Sequence, residues 1–291
     1  MAVQLARHTS GRTEVMVFDG GYHGGLLYFG PGGESLQAPF SYVRAAYNDE
    51  ESVDAAFAEH GDALACVLVE PMMGAAGCIP AASGFLAGLR RRCDEHGVLL
   101  IFDEVMTSRM SSGGAQQRLG IAPDLTTLGK YLAGGMTFGA FGGRADLMAA
   151  FDPASGGTLT HGGTYNNNVV TMAGGVAALS EVLTPAALEQ LFARGDGLRA
   201  RLAETVARSP LPMCVTGWGS MMTIHTCAGP VRSPADAAAA DPELRQLLFF
   251  ELLERGIYLA PRGFIALSLA VTDDDVDRVV GAVEDVVATL R

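Results

Sequence analysis

Lysine is almost missing from this sequence. Lys130 is the only one in 291 residues, against 19 arginines. Arginine replaces lysine wherever a surface cation suffices, but not where a primary amine must lose its proton, because guanidinium stays charged. The surviving amine is therefore a candidate nucleophile of the kind that condenses with a carbonyl, the alternative being a chance survivor on a solvated face. Other absences narrow the field. No apolar run approaches the roughly 20 residues that span a bilayer, and Met1 to Ser10 lacks the continuous apolar core of a secretory signal. The cysteines are few, odd in number and widely spaced (Cys66, Cys78, Cys93, Cys214, Cys227), with no C-x-x-C. That argues against a disulfide framework or zinc site and for free thiols in a reducing compartment. No G-x-G-x-x-G follows a first strand, which counts against a nicotinamide-binding Rossmann enzyme. A soluble, cytoplasmic protein is the expectation.

Charge and composition add bounds. With 32 acidic and 20 basic residues, the net charge is −12, unfavourable for nucleic acid or an anionic membrane as partner. A 49% hydrophobic content with 37 glycines describes a tightly turned globule. The length suits one large or two modest domains, and no repeat or low-complexity linker stands out. The pattern predicts a helix ending before Gly11, a strand over Val15–Phe18, a helix over Ser52–His60 and a strand over Ala65–Val69. A helix capped by Ser83 and stopped by Gly97 comes next, with Arg90-Arg91-Arg92 as its solvated face. Val98–Phe102 closes a βαβ unit, and Phe138–Phe141 reads as an antiparallel edge. Beyond a helix over Val169–Leu183, a further helical stretch runs from about Thr184. A small α/β domain follows, with strands at Met221–His225 and Ile265–Leu269 and helices at Pro242–Arg255 and from Asp274.

The chemistry converges on the strand ends. Val98–Phe102 is a short apolar run of the kind buried in a parallel sheet, and Asp103 lies at its carboxyl end. Ligands of open α/β sheets sit at that end. Lys130 follows a second short strand, Leu125–Leu128, and so falls on the same rim. An aldehyde-trapping lysine beside a carboxylate suits pyridoxal 5'-phosphate (PLP), where the acid keeps the pyridine nitrogen protonated. A helix N-cap is the other reading of Asp103.

Glu70-Pro71, then Leu100-Ile101-Phe102-Asp103-Glu104-Val105-Met106-Thr107, then Pro123-Asp124-Leu125-Thr126-Thr127-Leu128-Gly129-Lys130 together resemble the class III, PLP-dependent aminotransferases, which include the glutamate-1-semialdehyde aminomutases. The resemblance implies PLP-dependent transferase fold type I, a mostly parallel sheet covered by helices. It places a PLP-binding large domain over residues 1–183 and a connecting helix with a small C-terminal α/β domain over 184–291. It also implies a homodimer with shared active sites. Lys130 and Asp103 become the catalytic pair. Tyr22 stacks on the cofactor ring, and Val105, Gly163 and Thr164 join the cofactor site, Thr164 reaching the partner's phosphate or capping the next helix. His23 is open between a cofactor contact and a structural histidine. Glu70 and Arg262 fall to the substrate, with a surface ion pair as the alternative for Arg262.

Three local patterns, Gly135 to Gly143, Gly163 to Asn168 and Ala260 to Phe264, resemble the β-amino-acid (β-phenylalanine) aminotransferases. The implied activity is transfer of an amino group from a β-amino acid to a keto acid. The alternatives are an aminomutase of the glutamate-1-semialdehyde type or a truncated, non-catalytic relative. Family members carry a further segment before the first helix here, with a phosphate-binding loop. The resemblance therefore implies weak PLP affinity for this chain.

Overall fold

The computed structural model describes residues 1–290. It divides into two compact units, Met1–Pro71 with Ala82–Pro185, and Met72–Ala81 with Ala186 to the C-terminus. The elements run α1 (Ala2–Ser10), β1 (Glu14–Phe18), β2 (Ser41–Ala45), α2 (Glu50–His60), β3 (Leu64–Val69), the short strands β4 (Met72–Met73) and β5 (Ile79–Pro80), α3 (Phe85–His96), β6 (Leu99–Asp103), α4 (Gly114–Leu119), β7 (Leu125–Gly129), β8 (Gly139–Gly143), α5 (Ala145–Met148) and α6 (Val169–Ala177). Then follow α7 (Pro185–Val206), β9 (Cys214–Trp218), β10 (Met221–His225), α8 (Pro234–Ala238), α9 (Pro242–Glu254), β11 (Phe264–Ala266) and α10 (Asp273–Thr289). Among the described residues no single helix is long and apolar enough to cross a membrane.

The first unit is built on a six-stranded sheet in the order β2-β1-β3-β6-β7-β8. Its strands pair in parallel except β8, which runs antiparallel to β7 at the edge. Strand β3 is buried at every position, as a parallel strand covered on both faces must be. Side chains alternate across a strand, so Val15, Val17, Cys66, Leu68 and Ile101 share a core with Ala2, Val3, Leu5 and Ala6 of α1. A nine-residue helix is marginal alone. Burying Leu5 and Val3 contributes about 1.5–3 kcal/mol each, so packing on the sheet holds α1. Gly11, at φ 69°, ends it by giving its N–H to the Arg7 carbonyl in the left-handed conformation that glycine adopts without cost. On the other face, Phe18 meets the Phe85 ring of α3 edge-on at 5.7 Å.

In the second unit β11-β10-β9 form an antiparallel sheet. Its inner residues, including Met222, Ile224 and Ile265, pack against leucines of α7 and α9 and valines of α10. The turn between β4 and β5 belongs here because the Gly77 carbonyl accepts from the Thr216 hydroxyl, 2.6 Å, and lies 3.1 Å from His225 Nε2.

Several expectations need correction. Ser83 does not cap α3; Gly84, at φ 86°, holds that position with no side-chain cap. Nor does Thr164 cap α6, because Asn168 sits closer and its side chain accepts from the Val170 and Thr171 N–H groups. The run Arg90-Arg91-Arg92 is not one solvated face. Arg92 is buried against Glu50 and Asp54 of α2, Arg90 pairs with Asp94 and buried Asp124, and only Arg91 points to solvent. Three consecutive helical residues span most of the helix circumference, so they cannot all face water. The strand expected over Ile265–Leu269 pairs with β10 only over Phe264–Ala266.

Candidate active site

The site residues of the first unit are delivered by the carboxyl ends of neighbouring strands. After β1, a tight turn brings Tyr22 and His23 to the rim. Gly21 is required there, since a Cβ would lie 2.9 Å from the Phe18 carbonyl oxygen. Glu70 directly follows β3, Asp103 is the last residue of β6, and Lys130 directly follows β7. Asp103 stands opposite Thr127 in the parallel register of β6 and β7.

Asp103 is not a helix cap. One carboxylate oxygen lies 2.7 Å from His23 Nδ1, and the other accepts the Val105 N–H at 3.0 Å. Both side chains of the His23–Asp103 pair are almost completely buried. Burial alone would drive the Asp103 pKa up, but the His23 hydrogen bond and charge, with the Val105 N–H, outweigh it and hold the carboxyl below its ordinary value. Burial would likewise lower His23, and Asp103 followed by Glu70 reverses that, so the imidazole binds its proton more tightly than usual. The result is a buried ion pair with the negative end on the strand rim.

Around it, Glu70 is buried and accepts the Tyr22 N–H at 3.1 Å, so it fixes the backbone that presents Tyr22. The Tyr22 side chain itself is 43% exposed. The Thr127 hydroxyl is near enough to Asp103 to favour the ionised form, yet it is buried and outside hydrogen-bond geometry with any group. Such a donor is a feature that calls for a ligand or a water. Val105 lies beside Gly129, where an added Cβ would meet its Cγ1 at 3.5 Å and the Phe138 carbonyl at 3.3 Å. Lys130 is exposed and has φ 53°, a left-handed backbone that non-glycine residues seldom adopt and that concentrates at functional sites.

The sequence reading missed Glu104. It is completely buried and holds the start of α4, accepting from the Ala115 N–H at 2.6 Å and from the Gln116 N–H and amide at 3.0 Å. Burial pushes its pKa up despite these donors. The signal was the acidic doublet at a strand end, whose neighbouring side chains must point to opposite sides. Two other expected residues are not drawn into this cluster. Gly163 and Thr164 lie in an exposed turn closed by the Asn166 N–H on the Gly163 carbonyl, 3.0 Å. Arg262 belongs to the second unit, with its guanidinium over the Phe264 ring at 4.7 Å. Among the described residues it forms no ion pair.

A buried, ionised carboxylate, an unpartnered hydroxyl on the next strand and a solvent-facing primary amine fit the donor set that PLP requires. Comparison with known proteins agrees. The chain is 53% identical over 283 residues to the β-phenylalanine transaminase of Variovorax paradoxus, covering 97% of this chain and 65% of that protein. A solved β-phenylalanine aminotransferase from the same organism superposes with a TM-score of 0.96 at 52% identity, over 99% of this chain and 67% of that one. The glutamate-1-semialdehyde 2,1-aminomutase of Sorangium cellulosum is 39% identical over 305 residues, covering 99% of this chain and 69% of that protein. This chain thus spans about two thirds of the length of the relatives it matches. The model of the class III aminotransferases matches residues 1–287, and on that match and the sequence identities above the chain belongs to that PLP-dependent family.

Proposed function

We propose that this chain contributes to a PLP-dependent aminotransferase acting on an amino acid whose amine is β to its carboxylate, with a keto acid as acceptor. The observation that carries this reading is the His23–Asp103 ion pair on the same sheet rim as the chain's only lysine. When bound, PLP supplies an aldehyde that captures amines and a ring that accepts electrons from the substrate carbon.

The residues divide the remaining work. Lys130 Nζ would hold the cofactor through its aldehyde and, as a free amine, would take the proton from the amine-bearing carbon of the substrate and return it as the conjugate acid. Asp103, held ionised, would keep a proton on the ring nitrogen by its negative charge. His23 keeps Asp103 ionised and oriented, so it is a positioning residue. Tyr22 offers its exposed ring as a face for the cofactor, on a backbone fixed by Glu70. Val105 closes the wall beside Gly129. Gly163 and Thr164 present a hydroxyl and N–H groups suited to the phosphate of a partner's site in a homodimer. Arg262, free of acidic neighbours, suits a bidentate contact with the substrate carboxylate. The β-amino-acid preference is supported by the 53% identity to a β-phenylalanine transaminase, and the aminomutase relative supports a second reading.

Borohydride reduction of the protein mixed with PLP, followed by peptide mass spectrometry, should place a pyridoxyl group on Lys130. The label should be absent from Lys130→Ala. Labelling undiminished in that variant refutes the assignment. A substrate panel decides between the readings: turnover of β-amino acids is expected, and activity confined to glutamate-1-semialdehyde favours the aminomutase.

A further inference from the structure

Asp103 ends β6 and Glu104 follows it, with their side chains on opposite faces of the sheet. The two buried carboxylates are furnished very differently. A carboxylate offers about four lone-pair sites, and Glu104 fills its own. It accepts from the Ala115 N–H at 2.6 Å, from the Gln116 N–H and side-chain amide at 3.0 Å, and from the Thr107 hydroxyl at 3.3 Å. Asp103 meets two donors among the described residues, His23 at 2.7 Å and the Val105 N–H at 3.0 Å. About two of its sites are left.

The threonines of β7 show the same contrast. Thr126 is engaged, its hydroxyl oxygen accepting from the Gln116 amide at 3.1 Å. The Thr127 hydroxyl is closed off from solvent and has no partner among the described residues. A buried hydroxyl in that state is rare enough to require a reason. Thr127 stands opposite Asp103 in the register of β6 and β7, and its carbonyl accepts the Glu104 N–H at 3.0 Å, which pins the two strands at this level. Matched positions on neighbouring strands share a face. On its other side Thr127 stands opposite Phe141 of β8, whose side chain has no acceptor. Asp103 is thus the acceptor within reach. Burial works against the Asp103 charge, His23 is the main support of that charge, and Val105 and then Thr127 add to it. The other ionisable group at this end is Glu70, which acts on His23.

We propose that Thr127 is a positioning residue of the cofactor site, whose hydroxyl donates to Asp103 and, with His23 and the Val105 N–H, fixes the carboxylate so that one lone-pair site is left for the ring nitrogen of PLP. The hydroxyl hydrogen rotates to suit its acceptor, so the bond needs no change of backbone. The inference rests on the cofactor reading above and deepens it. A donor to the charged form favours that form, so removing the hydroxyl makes Asp103 easier to protonate.

Carbon-13 NMR of the aspartate-labelled full chain, without added PLP, follows the Asp103 carboxyl, its signal assigned by its loss in Asp103→Asn. Thr127→Val keeps the side-chain shape without the hydroxyl and should raise the Asp103 midpoint by about one pH unit or more. Thr127→Ala should do the same, and Thr127→Ser, which keeps the hydroxyl, should titrate as wild type. Titration with PLP, followed by absorbance, should give a Kd severalfold higher for Thr127→Val and unchanged for Thr127→Ser. An Asp103 midpoint unmoved in Thr127→Val and Thr127→Ala, or moved as far in Thr127→Ser, overturns the proposal. So does a moved midpoint with an unmoved PLP Kd in a chain that takes the pyridoxyl label. A moved midpoint in a chain that takes no label supports the bond between Thr127 and Asp103 and refutes the transaminase reading alone.

Discussion

At Asp103 burial and pairing pull in opposite directions, and pairing wins. The carboxyl is depressed below 3.8 and His23 is raised above 6.5. A depressed acid contributes stability that is present above its unfolded pKa and is lost as pH falls through the folded value. A raised histidine contributes stability that is complete below 6.5 and is lost as pH rises through its folded pKa. The pair is therefore strongest between these limits. Removing one partner of a buried pair leaves an uncompensated charge, at a cost of about 3–5 kcal/mol. Denaturant unfolding should show His23→Gln less stable than wild type by about that amount near pH 5.5, with the gap narrowing in alkali; a gap that does not change with pH removes the ion pair from the explanation. Asp103→Asn should lose most turnover while retaining some PLP, because an amide cannot hold the ring proton. Unchanged turnover would take Asp103 out of the site.

Among the elements, Asp124 is the joint. It precedes β7, is buried, and accepts the Leu100 N–H of β6 at 2.8 Å, Arg90 of α3 at 2.7 Å and Arg144 before α5 at 2.8 Å. Burial would raise its pKa, but these donors outweigh it and lower it from 3.8. Its contribution is thus present above 3.8 and is lost as pH falls through the folded value. Both arginines keep a second acidic partner, Asp94 and Asp146, so Asp124→Ala strands neither. A loss of about 2–3 kcal/mol is expected, the scale of charge-assisted hydrogen bonds, shrinking in strong acid. Thermal unfolding at neutral and acidic pH tests this, and a neutral-pH loss under about 0.5 kcal/mol, the range of an ordinary surface change, contradicts it.

For the whole molecule, α6 and the turn of helix after it, residues 178–182, present an apolar surface. Val169 is 80% exposed, and Val170, Val176, Leu179 and Val182 are each more than half exposed. An apolar stretch of this kind, which water does not favour, marks a contact surface. A second copy covering it accords with the homodimer proposed above. Light scattering should report a dimer for the wild-type chain and a shift towards monomer for the double variant Val176→Asp, Leu179→Asp. A wild-type chain that stays monomeric at all accessible concentrations refutes this use of the surface.

The sequence by itself determined the parallel sheet and the place of Asp103 and Lys130 on one rim of it. Runs such as Ala65–Val69 can only be buried on both faces, an acid after one run and a lone amine after another must share a rim, and glycines such as Gly11 and Gly97 stop helices by a local backbone preference. Only the tertiary structure decided what long-range contacts settle. It brought His23 to Asp103 across 80 residues, turned Glu70 into a support for Tyr22, and pulled Arg90 and Arg92 inward to acids on other segments. It also closed the Thr127 hydroxyl off from solvent beside Asp103. Local periodicity and capping depend on near neighbours and are written in order along the chain. Pairing, burial and pKa depend on which distant groups arrive, and only packing specifies that.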